Sequence, residues 1–220
     1  MNFQVAIDGP AGSGKSSISK QIAKNLGFNH IDTGAMYRAV TLEALNRGID
    51  LCNGSYNFVN EIVIEYKDNS IYLDGVNVDV SIREERVSFN VSEVSTKKIV
   101  RETMADLQRK AASNGNIIMD GRDIGCNVLP NADIKIYLVA SIEERAKRRY
   151  KEHLNNGVKT DLEKIKNEIV RRDSLDSTRE LNPLKKATDA IEIDTTNLTM
   201  KEVIDEITIL IKRGGTTDGI

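Results

Sequence analysis

A chain of 220 residues can bury one sizeable core, with room for a small appended lobe. Its net charge of −2 leaves no broad field to attract nucleic acid or an anionic membrane, so any recognition of anions must be local. With 40% hydrophobic and 29% charged residues it is neither a disordered nor a membrane-spanning chain by composition.

An apolar strand, Phe3–Ile7, is expected first, and it runs directly into Gly9-Pro-Ala-Gly-Ser-Gly-Lys-Ser16. That segment fits G-x-x-x-x-G-K-[ST], the phosphate-binding loop, and the stretch after it, Ser16–Leu26, is compatible with a helix. The spacing has a mechanical reason: glycines let successive N–H groups converge on phosphate oxygens just ahead of a helix N-terminus. Gly9, Pro10, Ala11, Gly12, Ser13 and Gly14 are therefore expected to cradle ATP together with Ser16 and Ser17. Lys15 is expected to reach the β- and γ-phosphates, and the Ser16 hydroxyl to take a Mg²⁺ position. The N-terminus enters the strand with no signal segment, so a cytoplasmic location is expected.

A short strand at His30–Ile31 precedes Asp32-Thr-Gly-Ala-Met-Tyr-Arg38, which opens a helix over Ala35–Arg47. Asp32 or Thr33 suits its N-cap, and Arg38 lies about one turn on, able to return to the same crevice. Ile62–Tyr66 and Ile71–Leu73 flank a polar Lys-Asp-Asn-Ser turn, and Val76, Val78 and Val80 then alternate. This is hairpin patterning, read as an antiparallel insertion over roughly Glu61 to Val80. A helix is expected at Lys97–Ser113 and a strand at Asn116–Met119. That strand ends in Asp120, a second candidate for Mg²⁺, followed by Gly121-Arg122-Asp123 at the carboxyl end where ligands bind.

The remaining elements are a strand at Ile134–Val139, helices at Ser141–Asn155 and Leu162–Leu175, a strand at Ala190–Ile193 and a helix at Met200–Lys212. The tail from Gly214 to Gly219 reads as frayed. Cys52 and Cys126 lack metal-ligand spacing and His30 and His153 stand apart, so neither a disulfide framework nor a histidine metal site is expected. Strand–helix alternation predicts an α/β fold of three layers, a central parallel sheet covered on both faces.

Arginines concentrate between Ser141 and residue 179: Arg145, Arg148 and Arg149 on one helix, then Arg171, Arg172 and Arg179 after the Asn155-Asn-Gly157 break. Some of these belong to a solvated face, but two helices so furnished would make a closing lid whose guanidiniums grip phosphate oxygens bidentately. No general base is evident. A kinase acting on a hydroxyl needs a carboxylate for that task, whereas a phosphate monoester, with a second pKa of about 6, arrives as a dianion and needs none. The residues thus point to transfer from ATP to a nucleoside monophosphate. Another small-molecule kinase of this fold, or a non-catalytic nucleotide-binding switch, is the alternative; against the switch, no Asn-Lys-x-Asp guanine reader is present.

Taken in order, Ile7–Ser16, Asp32–Arg38, Asp120-Gly-Arg-Asp-Ile-Gly125, Arg145-Ala-Lys-Arg-Arg149 and Arg171-Arg-Asp-Ser-Leu-Asp-Ser-Thr-Arg179 resemble the bacterial cytidylate kinases across essentially the whole chain. The resemblance implies one P-loop kinase domain over residues 1–220, with a helical lid and a β insertion near residues 61–80. The monophosphate-binding region would be about 33–100 and the arginine-rich lid and substrate segment about 145–180. It implies ATP and CMP or dCMP as substrates with Mg²⁺; a monomer is expected, and the net charge of −2 leads us to expect neither nucleic-acid nor membrane partners. Thr33 would contact the ribose, and Arg38 and Arg122 the acceptor phosphate. Ser92, Arg101, Asp123 and Arg179 match base-reading positions, and Arg172 and Asp176 lie close to the transferred group and the sugar. Lys15, Arg122 and Arg172 would be catalytic, with Arg145 and Arg149 on the ATP side. Thr33 stands where serine is frequent in the family. Cytosine chemistry agrees: Asp123 can accept from N4 while Arg101, Arg179 or Ser92 donate to N3 and O2, and uracil mismatches both contacts.

Overall fold

The computed structural model describes residues 2–67, 70–155, 157 and 159–215. Five parallel strands form its main sheet: β1 (Gln4–Asp8), β2 (Asn29–Asp32), β6 (Ile117–Gly121), β7 (Ile134–Val139) and β8 (Ile191–Asp194), in the order β2-β6-β1-β7-β8. Period-two alternation assigns each strand's side chains to opposite faces. Val5, Ile7, Ile118, Ile136 and Ile193 turn toward α1 (Lys15–Leu26) and α7 (Met200–Gly215). Ala6, Ile117 and Met119 turn the other way, toward α2 (Thr33–Asn46) and α4 (Lys98–Ala112). Three layers result. Burying an isoleucine as fully as Ile7, Ile118 or Ile136 contributes about 1.5–3 kcal/mol each, so the two cores anchor the sheet on which the site is mounted.

The order also locates the site. From β1 the chain passes through α1 to β2 at one edge, whereas β7 and β8 build the opposite side. Register places Ile7 beside Asp120, Asp8 beside Gly121, and Asp32 beside Asp120. Three aspartates therefore arrive together at the carboxyl ends of adjacent strands, the position where open α/β sheets bind ligands.

The antiparallel insertion comprises β3 (Ile64–Lys67), β4 (Ser70–Leu73) and β5 (Val76–Asn77). Its second turn is Asp74-Gly75, with φ of 50° and 80° at the two residues, the positive pair a type I′ hairpin turn requires. The first turn includes Asp68 and Asn69, which lie outside the described residues, as does Asn156 of the Asn155–Gly157 break. Ile71, Leu73 and Val78 sink into the core beside α2, so the insertion is packed rather than pendant.

Four features depart from expectation. Helix α3 (Glu85–Val94) is additional; its buried stripe Val87-Val91-Val94 has helical spacing, but no side chain caps its start and β-branched residues mask it. A single π-helical turn at Ile124–Val128 follows Asp123 directly. Helix α6 (Leu162–Thr178) runs past Leu175, and α7 extends to Gly215, so Gly214 is helical; the expected frayed residues beyond Gly215 lie outside the described set. With α5 (Ile142–Asn155), α6 forms a small separate core of Ala146, Ile165 and Ile169. Among the described residues no helix is long and apolar enough to cross a membrane.

Candidate active site

A cleft of about 680 Å³ opens above the sheet, walled by the phosphate loop, the start of α2, α3, the end of β6 and the α5–α6 pair. The loop at its floor lies tight against β7: a Cβ on Gly9 would sit 2.2 Å from the Leu138 carbonyl oxygen, so nothing larger than glycine fits. Gly14, at φ 91°, turns the chain into α1 without a side-chain cap, and the leading N–H groups of that helix are left to an incoming anion. Lys15 is buried, and its Nζ donates to the Pro10 carbonyl at 3.0 Å. Burial, then the nearby Arg122, draws the ammonium down to about 7.

Residues expected to meet ATP divide in two. Ala11, Gly12, Gly14, Lys15, Ser16, Ser17 and Arg149 border the cleft, whereas Gly9, Pro10, Ser13 and Arg145 stand behind it. Arg145 braces the loop from outside, its Nη1 donating to the Ala11 carbonyl at 2.9 Å and to Asp173 at 2.5 Å, its Nε to the Ala140 carbonyl at 2.9 Å. Arg148 takes the place at the cleft wall, held by the Thr195 hydroxyl at 3.0 Å and carbonyl at 2.5 Å.

Ser16 Oγ donates to Asp120 Oδ2 at 2.6 Å, and His30 Nε2 lies 2.8 Å from Asp120 Oδ1. Among the described residues no group of three His, Cys, Asp or Glu side chains could hold a metal by itself. A hydroxyl and one carboxylate nevertheless fit Mg²⁺, a hard cation that takes one or two protein oxygens and completes its shell with phosphates and water. His30, which sequence reading set aside, orients that carboxylate.

On the opposite wall Asp32 caps α2, its Oδ1 accepting from Ala35 N at 3.1 Å, and its carbonyl accepts from the Tyr66 hydroxyl of the β insertion at 2.5 Å. Burial first, then Asp120, raises the Asp32 carboxyl above its ordinary range. Thr33 lines the cleft with its hydroxyl committed to the Asp120 carbonyl at 2.7 Å. Arg38 reaches Ser88 Oγ at 2.6 Å and the Ile82 carbonyl at 3.3 Å, tying α2 to α3, and burial pushes it down to about 10.

Arg122 pairs with Asp176 at 2.8 Å, and Arg172 Nε lies 4.0 Å from the same carboxylate. Burial alone would raise the Asp176 carboxyl, but Arg122 and Arg172 together hold it below the ordinary range. Arg172 Nε is buried without a hydrogen-bond partner among the described residues. Burial, then Arg122 and Arg38, lowers its affinity for its own proton. Such a crowded, partly unbonded guanidinium is poised for an anion.

Deeper in, Asp123 is clamped. Its Oδ2 accepts from Arg101 Nη2 at 2.6 Å and Asn127 Nδ2 at 3.1 Å, and its Oδ1 from Arg179 Nη2 at 3.0 Å. Arg101 also lies 5.6 Å above the Tyr37 ring, and Ser92 contributes from α3. Ser92, Asp123 and Arg179 thus meet at one end of the cleft with Tyr37 as an unforeseen neighbour, whereas Arg101, expected there too, stands behind Asp123 and reaches the cleft only through it, as does Asn127. Tyr37 lies inside the Asp32–Arg38 motif, and Asn127 follows Asp123 by four residues, the only sequence signals either gave.

The fold is shared with proteins of distant sequence. An uncharacterized protein from Eubacterium ventriosum ATCC 27560 superposes with a TM-score of 0.53 over 97% of this chain and 99% of that one, at 13% identity. A gluconokinase from Sinorhizobium meliloti 1021 gives 0.50 over 96% and 92%, also at 13% identity. Close relatives are named cytidylate kinases. That of Acholeplasma laidlawii is 51% identical over 96% of this chain and 95% of its own length. That of Clostridioides difficile is 51% identical over 94% and 96%, and that of Pediococcus pentosaceus 48% over 96% of both. The cytidylate kinase family model matches residues 5–213, and with identity of this order along nearly all of its length the chain belongs to the cytidylate kinase family.

Proposed function

We propose that this protein transfers the γ-phosphoryl group of ATP to CMP or dCMP, releasing ADP and CDP or dCDP. The observation that carries the reading is the Arg101–Asp123–Arg179 clamp at one end of a cleft whose other end is a phosphate loop, with Arg38, Arg122, Arg149 and Arg172 along the walls. The loop amides and Lys15 receive the donor phosphates. Arg38 and Arg122 hold the acceptor phosphate, and Arg172, whose Nε lacks a partner, meets charge developing on the transferred group. Magnesium, held by Ser16 and Asp120, would neutralise phosphate charge and fix its orientation.

The acceptor oxygen already carries charge at neutral pH, so no side chain need abstract a proton. The barrier is repulsion between two polyanions, and it falls by positioning, by guanidinium charge and by exclusion of water when the lid closes. Asp123 would accept from cytosine N4, and Arg101, Arg179 and Ser92 would donate to N3 and O2. We assign Thr33 and Asp176 to the ribose, a pair that suits a deoxy acceptor. We read residues 1–220 as one domain, with 33–100 as the acceptor arm and 145–180 as the lid. We read the protein as acting as a monomer.

A coupled assay of ADP release tests it with CMP, dCMP, UMP, AMP and GMP in turn. CMP and dCMP are expected to be the best acceptors, with UMP behind them and both purines inactive. ADP formation indifferent to the acceptor, or turnover only with a hydroxyl compound, would overturn the assignment.

A further inference from the structure

Asp8 ends β1 immediately before the phosphate loop, and nothing in the scheme above employs it. It is 4% exposed, and its two oxygens accept from consecutive backbone N–H groups: Oδ1 from Ile124 at 2.9 Å, Oδ2 from Gly125 at 2.8 Å. Those amides open the π-helical turn Ile124–Val128, and the residue just before that turn is Asp123. Asp123 has φ −142° and ψ 23°, outside the helical and strand regions, so the turn that follows sets its backbone and hence where its carboxylate points. Single π turns are rare and occur mostly at functional sites, and their leading N–H groups need an acceptor.

A Cβ added to Gly125 would lie 3.5 Å from Asp8 Oδ2 and 3.2 Å from the Lys135 side chain, so the turn packs between the two. Burial raises the Asp8 carboxyl to about 6, opposed by the two N–H bonds, so it is ionised and accepting at neutral pH. A buried carboxylate is costly to keep where a neutral side chain would fill the space, and here its two acceptors face two donors in sequence.

We infer that Asp8 is a positioning residue for acceptor selection: it ties the end of β1 to the turn after Asp123 and thereby aims the Asp123 carboxylate at the acceptor base. The inference rests on the reading of Asp123 as the base reader. Asp8 itself touches no nucleotide and acts only through the Ile124 and Gly125 amides.

Asp8→Asn is the test, because it keeps the volume and one acceptor but turns a donor toward the second N–H. The CMP-to-UMP ratio of kcat/KM should fall by about tenfold, the size of one charge-assisted hydrogen bond, while the dissociation constant for ATP stays within about threefold. A folded variant with an unchanged ratio would overturn the inference, and so would equal losses toward CMP and ATP, which mark a merely structural strut. An unsubstituted enzyme that does not prefer CMP over UMP would overturn the base-reading role of Asp123 and this inference with it. If the variant does not fold, hydrogen exchange on the unsubstituted enzyme decides. Linkage requires that CMP slow exchange of the Ile124 and Gly125 amides more than ATP does, and equal protection by both ligands would refute the coupling.

Discussion

Lys15 should take up a proton when the triphosphate arrives. Its Nζ rests 3.0 Å from the Pro10 carbonyl with no carboxylate bound to it among the described residues, and burial followed by Arg122 draws its pKa from 10.5 to about 7. A triphosphate at that nitrogen adds several negative charges and returns the pKa to at least about 9. The difference in protonated fraction between the bound and free states is then the uptake per site: about 0.1 proton at pH 6, about 0.5 at pH 7 and about 0.8 at pH 8. The sign follows from the depressed value. Protons stabilise the complex, so affinity for ATP falls as pH rises above 7, approaching tenfold per unit until about pH 9. Calorimetric titration with a non-hydrolysable ATP analogue and Mg²⁺, in buffers of different ionisation enthalpy, reads the uptake directly. Asp8, near 6, contributes only in the acid range, so measurement at pH 8 isolates the lysine. Lys15→Met should abolish the uptake. No uptake at pH 8, or the same uptake in the Met variant, would refute the reasoning.

Asp123→Asn leaves Arg101 and Arg179 without a full counter-charge and should raise KM for CMP about 100-fold while changing KM for ATP little. Equal effects on both substrates would remove Asp123 from the base pocket. Arg172→Ala should lower kcat by about 10²–10³ with small changes in either KM, as for other charge donors aimed at a transition state. Unchanged kcat would return it to structural duty. Arg145→Ala removes donors from the Ala11 and Ala140 carbonyls and from Asp173, and should cost about 2 kcal/mol, lowering Tm by about 5 °C. It should also raise KM for ATP several-fold; an unaltered Tm with a large loss of kcat would mean that Arg145 reaches the phosphates after all.

What the sequence disclosed depended on how local each feature is. The phosphate loop and the five strands of the main sheet are continuous signals, an apolar run with punctuation at its end, and they were readable to within a residue or two. The insertion was readable by its alternation. Helix α3 was not, because its stripe of three valines has the period of a helix but the composition of a strand. The arginine cluster shows the limit most clearly. Charge alone cannot distinguish Arg145 from Arg148 or Arg149, yet a Cβ on Gly12 would come within 3.2 Å of Arg145 Cβ. Packed that close to the loop, Arg145 lies against its back, whereas Arg148 and Arg149, a turn farther along α5, have room to reach the cleft. Likewise the partners of Asp123 come from positions 101, 127 and 179, a grouping that exists only after α4, the π turn and the end of α6 are brought together.

The cleft is built under electrostatic tension, and that tension suits the proposed chemistry. Lys15, Arg38 and Arg172 are all held below their ordinary proton affinities, each by burial first. Arg122 runs the other way: burial drags on it too, but Asp176, helped by Asp173 and Asp120, more than offsets the loss. The carboxylates nearby are already engaged, Asp176 by Arg122, Asp123 by two arginines, Asp120 by Ser16 and His30, and Asp32 by the Ala35 amide beside Arg38. The uncompensated positive charge therefore lies between the loop and the base pocket. A chain of net charge −2 cannot attract its substrates by overall field, so this local surplus is what does it. Either nucleotide alone relieves part of the strain, at its own end. Relief is greatest when a phosphoryl group lies between the two ends, near Arg122 and Arg172, which is where it must lie midway through transfer. An arrangement that binds that geometry better than either substrate is a catalyst in the strict sense, and it needs no proton-abstracting side chain to be one.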